Sequence, residues 1–470
     1  MVGLAQLMVV LDATIVNIAL PSAQRDLGFS NADRQWVVTA YSLAFGGLLL
    51  LGGRLSDLVG RRRMLIIGLV GFASASAFGG AATSFAMLVI GRGAQGAFGA
   101  MLAPAALSTL TTTFTDPAER GKAFGVYGAI AGAGGAVGLL LGGALTEYFS
   151  WRWCLYVNVV LAVVAVAGAV RLLASHPRDP SVHIDWPGTV LVVAGLVALV
   201  YGLSEAETKG WGAPTTDTLL PVGVLLLAAF VLVEARVPHP LLPLRIVANR
   251  FRGGAYLSIG LSAIGIFGIF LFLTYYLQET LRYSPVKSGL AFLPMIAAIV
   301  AASTTSSGVL MPRFGPRPLI PAGLLFAAGG LVILATQLGV HTSYPGQILL
   351  ALLLCGAGLG LVFGCALNTA TYGAGAADAG VASALVNTNQ QVGGSIGTAL
   401  LNTIAASALT GYVLAHGRGP LVLAQAAVHS YVVGFWVSAA ILAGSAVVCA
   451  LVLASGTLTH PGGPASPPAA

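Results

Sequence analysis

The hydrophobic residues of this chain form long runs separated by short stretches of glycine, proline and charged residues. A helix needs about 20 mostly apolar residues to cross a bilayer, and such runs recur along nearly the whole sequence. We predict helices over residues 2–22, 35–54, 64–83, 85–113, 121–146, 152–173, 187–204, 217–235, 253–278, 287–311, 317–338, 347–371, 380–409 and 430–454. The pattern therefore predicts an all-α integral membrane protein with fourteen transmembrane helices.

The composition excludes a soluble protein. Of the 470 residues, 57% are hydrophobic and only 8% are charged, whereas soluble domains carry about 25% charged residues. The net charge of +7 does not indicate a nucleic-acid partner, because the basic residues lie in short connections between apolar runs. The first run lacks a basic leader and a cleavage site, so we expect a retained span rather than a signal peptide.

The distribution of lysine and arginine predicts the orientation in the membrane. With the N-terminus inside, the inner connections and span ends hold fourteen of these residues and the outer ones hold seven. Basic residues concentrate on the cytoplasmic side of bacterial membrane proteins. We therefore expect a multi-pass protein of the cell (inner) membrane with both termini in the cytoplasm.

The two ends of the chain resemble each other. Gly53, Gly60 and Arg62 recur as Gly308, Gly315 and Arg317, and "GGAVG" at 134–138 recurs as "GGSIG" at 393–397. Internal repeats are common in alternating-access transporters, whose substrate site lies between the repeats. We predict an N-terminal six-helix half at 1–175, an extra helix pair with linkers at 176–245, a C-terminal six-helix half at 246–455 and a disordered cytoplasmic tail at 456–470.

Two charges lie inside predicted spans of the N-terminal half. Asp12 stands nine residues before Pro21 in the first span, and Arg92 lies about eight residues from the outer end of the fourth. Either charge alone costs a few kcal/mol in hydrocarbon, but facing each other inside one half both can persist. We expect Asp12 and Arg92 to be paired and to take part in proton coupling.

The connection after the second span, "GGRLSDLVGRRRML" at 52–65, is a candidate conformational motif. Gly53 and Gly60 permit a tight turn there. Any short inner connection is basic, which accounts for the arginines but not for the glycine spacing. Its candidate residues are Gly53, Asp57, Gly60, Arg61 and Arg62.

The fifth span carries glycines at regular intervals, which are Gly125, Gly134, Gly138, Gly142 and Gly143. Small residues let two helices approach closely, and this spacing is more regular than packing alone needs.

Uncharged polar residues in the spans are candidates for lining a substrate cavity. The alternative interpretation is that they form hydrogen bonds between helices. They are Asn17, Tyr41, Gln95, Asn387, Asn389, Gln390 and Gln391. Four cysteines (Cys154, Cys355, Cys365 and Cys449) lie in apolar runs without CxxC spacing, so we expect packing roles and neither a disulfide nor a metal site.

Together these stretches resemble the major facilitator superfamily, and within it the fourteen-spanner drug:proton antiporter family. The resemblance rests on "LDATIVNIALP" (11–21), "WVVTAYSL" (36–43), "GGRLSDLVGRRRML", "RGAQGAFGA" (92–100), the fifth-span glycines, "WRWCLYVN" (151–158), "DWPG" (185–188), "GWG" (210–212), "YLQETLRYSP" (276–285) and "GVASALVNTNQQVGGSIG" (380–397). Two positions depart from it, because Leu139 and Val160 stand where the family has proline.

The resemblance implies export of amphipathic drugs or antibiotics in exchange for protons. It implies a transporter rather than an enzyme, without a cofactor, whose partners are protons, the bilayer and a small amphipathic substrate. Because the predicted spans of the C-terminal half contain no acid that could pair with a second charge, we expect this substrate to be neutral or monocationic; we also expect a monomer. No nucleotide-binding G-x4-G-K-[ST] pattern is present in the sequence, so ATP-driven transport is not expected. Proton-coupled uptake of a small metabolite is the alternative function.

Overall fold

The computed structural model describes residues 1–31, 33–113, 117–173, 185–238, 240–339, 342–371, 379–417 and 419–454. The predicted tail at 456–470 and most of the linker that begins at 176 lie outside the described residues, as do some helical side chains, among them that of Asp57.

Fourteen long helices make up the described part of the chain. They are α1 Val2–Leu27, α2 Gln35–Val59, α3 Arg61–Gly80, α4 Phe85–Thr113, α5 Pro117–Tyr148, α6 Trp153–Leu172, α7 Trp186–Lys209, α8 Pro214–Glu234, α9 Arg250–Tyr275, α10 Pro285–Thr305, α11 Pro316–Gln337, α12 Leu349–Thr371, α13 Ala379–His416 and α14 Pro420–Val452. A short helix, Leu244–Ala248, precedes α9. The all-α fold and the fourteen predicted elements are confirmed.

Helix ends are where the sequence prediction and the structure differ most. Helix α14 begins at Pro420, ten residues before the predicted start at 430, and α13 continues to His416 rather than ending at 409. Both extensions, 410–416 and 420–429, are themselves largely apolar, so each helix continues beyond the length of about 20 residues that a crossing needs. Within the described residues, thirteen helices are long and apolar enough to cross a membrane; α5, many of whose side chains are not described, is not among them.

Each set of six helices packs in the same pattern. In the first set, α1 packs on α5, α2 and α3 pack on α4, and α3 packs on α6. In the second set, α9 packs on α13, α10 and α11 pack on α12, and α11 packs on α14. The shared pattern agrees with the repeated glycine and arginine positions, while the exact domain boundaries stay a prediction.

Helices α2 and α5 of the first set connect it to the second. Helix α2 packs along α13, and α5 packs along α10, while the extra helices α7 and α8 pack on each other and α7 also contacts α2 and α13. The approach is close where α5 meets α10, since a Cβ on Gly143 would lie 2.8 Å from the carbonyl oxygen of Pro285. Small residues therefore set the distance between the two six-helix sets.

Candidate functional site

Asp12 lies in the middle of α1 and is fully buried. Its Oδ2 accepts a hydrogen bond from Nη1 of Arg92 on α4 at 2.5 Å, and this contact is also an ion pair. The Arg92 side chain is only 2% exposed. The structure thus brings together the two charges that the sequence placed at similar depth in different spans.

Two amides complete the surroundings of the carboxylate. Gln95 Nε2 on α4 and Asn158 Nδ2 on α6 each donate to Asp12 Oδ1 at 2.9 Å. Gln95 Nε2 also lies 2.6 Å from the hydroxyl oxygen of Ser76 on α3. Hydrogen bonds to an ionised acceptor are about twice as strong as neutral ones, so these donors stabilise the charged form of Asp12.

Arg92 is fixed by contacts on both sides. Its Nε donates to the backbone carbonyl of Val37 on α2 at 3.0 Å, and Nη1 donates to Gln95 Oε1 at 3.0 Å. The guanidinium carbon lies 4.4 Å from the centre of the Tyr41 ring, within cation–π range. Arg92 therefore joins α1, α2 and α4 at a single buried point.

A small cavity opens on the other side of this cluster. Its walls are Ala13, Val16, Asn17, Val38, Tyr41, Ser42 and Arg92. The Tyr41 hydroxyl is buried and has no hydrogen-bond partner among the described residues, so it is available to a polar group of a ligand. Because Arg92 lines the cavity and also binds Asp12, a ligand there is in electrostatic contact with the carboxylate.

The α5 glycines mostly pack against α1. A Cβ on Gly138 would clash with Thr14 Oγ1 and lie 3.1 Å from the carbonyl oxygen of Leu11, and one on Gly142 would lie 3.0 Å from the carbonyl oxygen of Ile15. Gly134 faces Val10 on the same side of α5. The glycines therefore hold α5 against the two turns of α1 that flank Asp12, while the side chains around Gly125 lie outside the described residues.

The α2–α3 motif forms the tight turn that the sequence indicates. Gly60 has φ +96°, a conformation that favours glycine, and it ends α2 one residue before α3 begins. Arg62 Nη2 donates to the carbonyl of Val170, near the end of α6, so the motif ties α3 to α6. A Cβ on Gly53 would be in ordinary van der Waals contact with Pro104, at 3.9 Å. Arg61 also interacts with another group of the protein.

The other cavity candidates do not all lie together. Gln95 belongs to the buried Asp12 cluster, Asn389 Nδ2 bonds the carbonyl of Leu385, and Gln391 packs against Gly46 of α2. Asn387 is exposed and Gln390 is partly exposed. Of the seven candidates, only Asn17 and Tyr41 line the cavity between α1 and α2.

Sequence reasoning missed Asn158 and Ser76. Asn158 is fully buried in an apolar span, and a lone amide in such a span was the available signal. Ser76 gives no comparable signal, since small hydroxyl residues are common in membrane helices. The four cysteines are free and buried, and no metal-binding group is found among the described residues.

Comparison with known proteins identifies the family. Residues 2–398 match the family model described as Major Facilitator Superfamily. The chain is 51% identical to the puromycin resistance protein pur8 of Streptomyces alboniger, covering 96% of this chain and 90% of the relative. It is 41% identical to the cephamycin export protein CmcT of Amycolatopsis lactamdurans, covering 87% and 84%, respectively.

Solved structures show the same fold. An auto-inhibited peptide transporter of the POT family matches with a TM-score of 0.70, covering 96% of this chain and 95% of that one. A bacterial homologue of the lysosomal transporter Spinster, in an inward-facing conformation, matches with a TM-score of 0.65 over 96% and 95%. Both are 16% identical in sequence, so they support the fold alone. The chain belongs to the major facilitator superfamily, and it is a membrane transporter rather than an enzyme.

Proposed function

We propose that this protein exports amphipathic antibiotics or drugs across the cell membrane in exchange for protons. The observation that carries the proposal is the fully buried Asp12 carboxylate, connected through Arg92 to a cavity between α1 and α2. Names of relatives that describe resistance to puromycin or lincomycin and export of cephamycin support the export direction. In this proposal both termini lie in the cytoplasm, and the end with the α1–α2 connection faces outward.

Asp12 carries the proton in this mechanism. Arg92, Gln95 and Asn158 all donate to the carboxylate in this arrangement, and a movement of the two halves that separates these donors from Asp12 is the step that couples proton transfer to transport. One proton crossing 100 mV and one pH unit delivers about 2.3 plus about 1.4 kcal/mol. That sustains a gradient of a neutral substrate of roughly 500-fold.

The test is Asp12→Asn in membrane vesicles that load a fluorescent substrate when a proton gradient is imposed. Asparagine keeps the shape but cannot titrate, so gradient-driven uptake should fall to the level of vesicles without the transporter, while facilitated diffusion down a substrate gradient persists. Uptake at the normal rate would show that Asp12 does not carry the proton. Accumulation in the direction of proton flow would instead support metabolite symport.

The position of acids along the chain also limits the substrate charge. In the C-terminal half no Asp or Glu stands within a predicted span. The nearest is Glu279, one residue after the span 253–278, and its Oε2 lies 3.8 Å from Nη1 of Arg282. A dication would need a second carboxylate to offset its desolvation. We expect neutral and monocationic amphiphiles to be exported, and paired mono- and divalent dyes of similar size provide the test. Equal export of the divalent dye would contradict this expectation.

A further inference from the structure

A second buried arginine lies at the predicted outer end, far from Asp12 in the chain. Arg34 immediately precedes α2, and the residue is 5% exposed. Its Nε donates to Asn402 Oδ1 on α13 at 3.0 Å, which is a contact between the two six-helix sets. Among the described residues no carboxylate lies within ion-pair distance of Arg34, which is unusual for a buried cation.

Aromatic rings of the second set surround the guanidinium instead. Its central carbon lies 4.4 Å from the centre of the Tyr275 ring and 5.9 Å from that of Phe272, both near the end of α9. The Tyr431 side chain of α14 also lies close to the Arg34 group, and its ring centre is 6.1 Å from that of Phe272. We call Phe272, Tyr275 and Tyr431 the aromatic box. All three are buried.

The box belongs to one half and its occupant to the other. Tyr275 also donates to Gln24 Oε1 of α1 at 2.5 Å, and Gln278 Nε2 donates to the carbonyl of Ile18 at 3.1 Å, so both contacts close the same end of the bundle. Alternating access separates the halves at this end when the substrate is released. Because Arg34 and the box belong to different halves, such a separation would withdraw Arg34 from the rings.

We propose that the aromatic box is an exit subsite for the cationic group of exported compounds, and that Arg34 occupies it whenever the outer end is closed. The inference rests on the proposed export function. Ring faces attract guanidinium and quaternary ammonium groups without a direct ion pair, and the Glu279 carboxylate near Tyr275 and Tyr431 adds a longer-range attraction, so the box binds a monocation and still releases it. The returning Arg34 competes with the departing cation and prevents its rebinding.

Binding of benzylguanidinium to the purified full-length protein at equilibrium, with no proton gradient, tests the subsite. Arg34→Gln vacates the box and keeps a polar side chain near Asn402. We expect this variant to bind benzylguanidinium about 3- to 30-fold more tightly than the unchanged protein, the range that one cation–π contact supplies. The neutral analogue benzylurea should bind Arg34→Gln and the unchanged protein with the same affinity.

Further variants distinguish binding in the aromatic box from binding in the central cavity. In Arg34→Gln/Tyr275→Leu the gain should disappear, whereas a gain that arises in the central cavity would persist and overturn the proposal. Lys209→Gln removes an exposed cation of the same predicted outer end, outside the aromatic box, and should leave binding unchanged. Asn402→Ala removes the acceptor of Arg34 Nε and also a donor to the carbonyl of Asn31; it loosens Arg34 without removing it and should give a smaller gain in affinity in the same direction.

Binding no tighter in Arg34→Gln than in the unchanged protein would refute the subsite. The measurement is independent of the proton-coupling proposal, because it uses neither a gradient nor Asp12. Failure of Asp12→Asn to abolish gradient-driven uptake would count against the coupling mechanism and leave the benzylguanidinium result unaffected.

Discussion

The ion pair between Asp12 and Arg92 makes a quantitative prediction about stability. The perturbation is a double-mutant cycle of Asp12→Asn, Arg92→Gln and the two combined. Each single change leaves one buried charge without its partner, since the pair is joined at 2.5 Å with side-chain exposures of 0% and 2%. The double change removes both charges together.

The expected magnitude follows from burial. Removing one partner of a buried pair costs about 3–5 kcal/mol. In Asp12→Asn, an amide NH₂ also replaces one oxygen that accepts from Arg92, Gln95 or Asn158, which places donor against donor. The double variant loses only ordinary hydrogen bonds of about 1 kcal/mol each. The sum of the two single losses should therefore exceed the double loss by about 3 kcal/mol.

The assay is reversible unfolding in mixed micelles with an increasing fraction of sodium dodecyl sulfate, followed by loss of tertiary fluorescence. Arg62→Gln is the matched control, because Arg62 donates to Val170 O and not to Asp12. When Arg62→Gln is combined with Asp12→Asn, the two losses in unfolding free energy should add to within about 0.5 kcal/mol. If the losses in unfolding free energy of Arg92→Gln and Asp12→Asn also add, the reasoning is refuted, because additivity would mean that the two charges do not stabilise each other.

Three further changes test the surroundings of Asp12. Asn158→Leu removes one donor to the carboxylate and should lower the unfolding free energy by about 1–3 kcal/mol; an unchanged value in the same micelle titration would deny that contact. Gly138→Ala forces a methyl group onto Thr14 Oγ1 and should cost about 1–3 kcal/mol by overpacking, whereas Gly135→Ala, 4.0 Å from its nearest neighbour, should stay within about 0.5 kcal/mol. Asn17→Leu alters the cavity wall and should change which compounds confer resistance; a uniform loss for every compound would indicate a structural role.

The number and type of helices could be predicted from sequence because the bilayer imposes a local rule. A backbone inside hydrocarbon must satisfy its own hydrogen bonds, so each apolar run of sufficient length becomes a helix. The tight turn at Gly60 was predictable for a similar reason, since a positive φ at the end of α2 favours glycine. Helix ends such as Pro420 were not predictable, because a crossing needs only about 20 residues and an apolar run does not indicate how far the helix continues beyond that length.

The sequence also indicated that Asp12 and Arg92 need each other, since an unpaired charge is too costly at that depth. Which neutral side chains join them was decided by the tertiary structure alone. Asn158 lies 146 positions from Asp12, and only the packing of α1 on α6 brings its amide to the carboxylate. Arg34 is the clearest case: in sequence it is one basic residue of an outer connection, and in the folded chain it lies against the ring of Tyr275, in the other half of the molecule. Charge and hydropathy are properties of single residues and can be read along the chain, whereas a binding site depends on which helix faces meet.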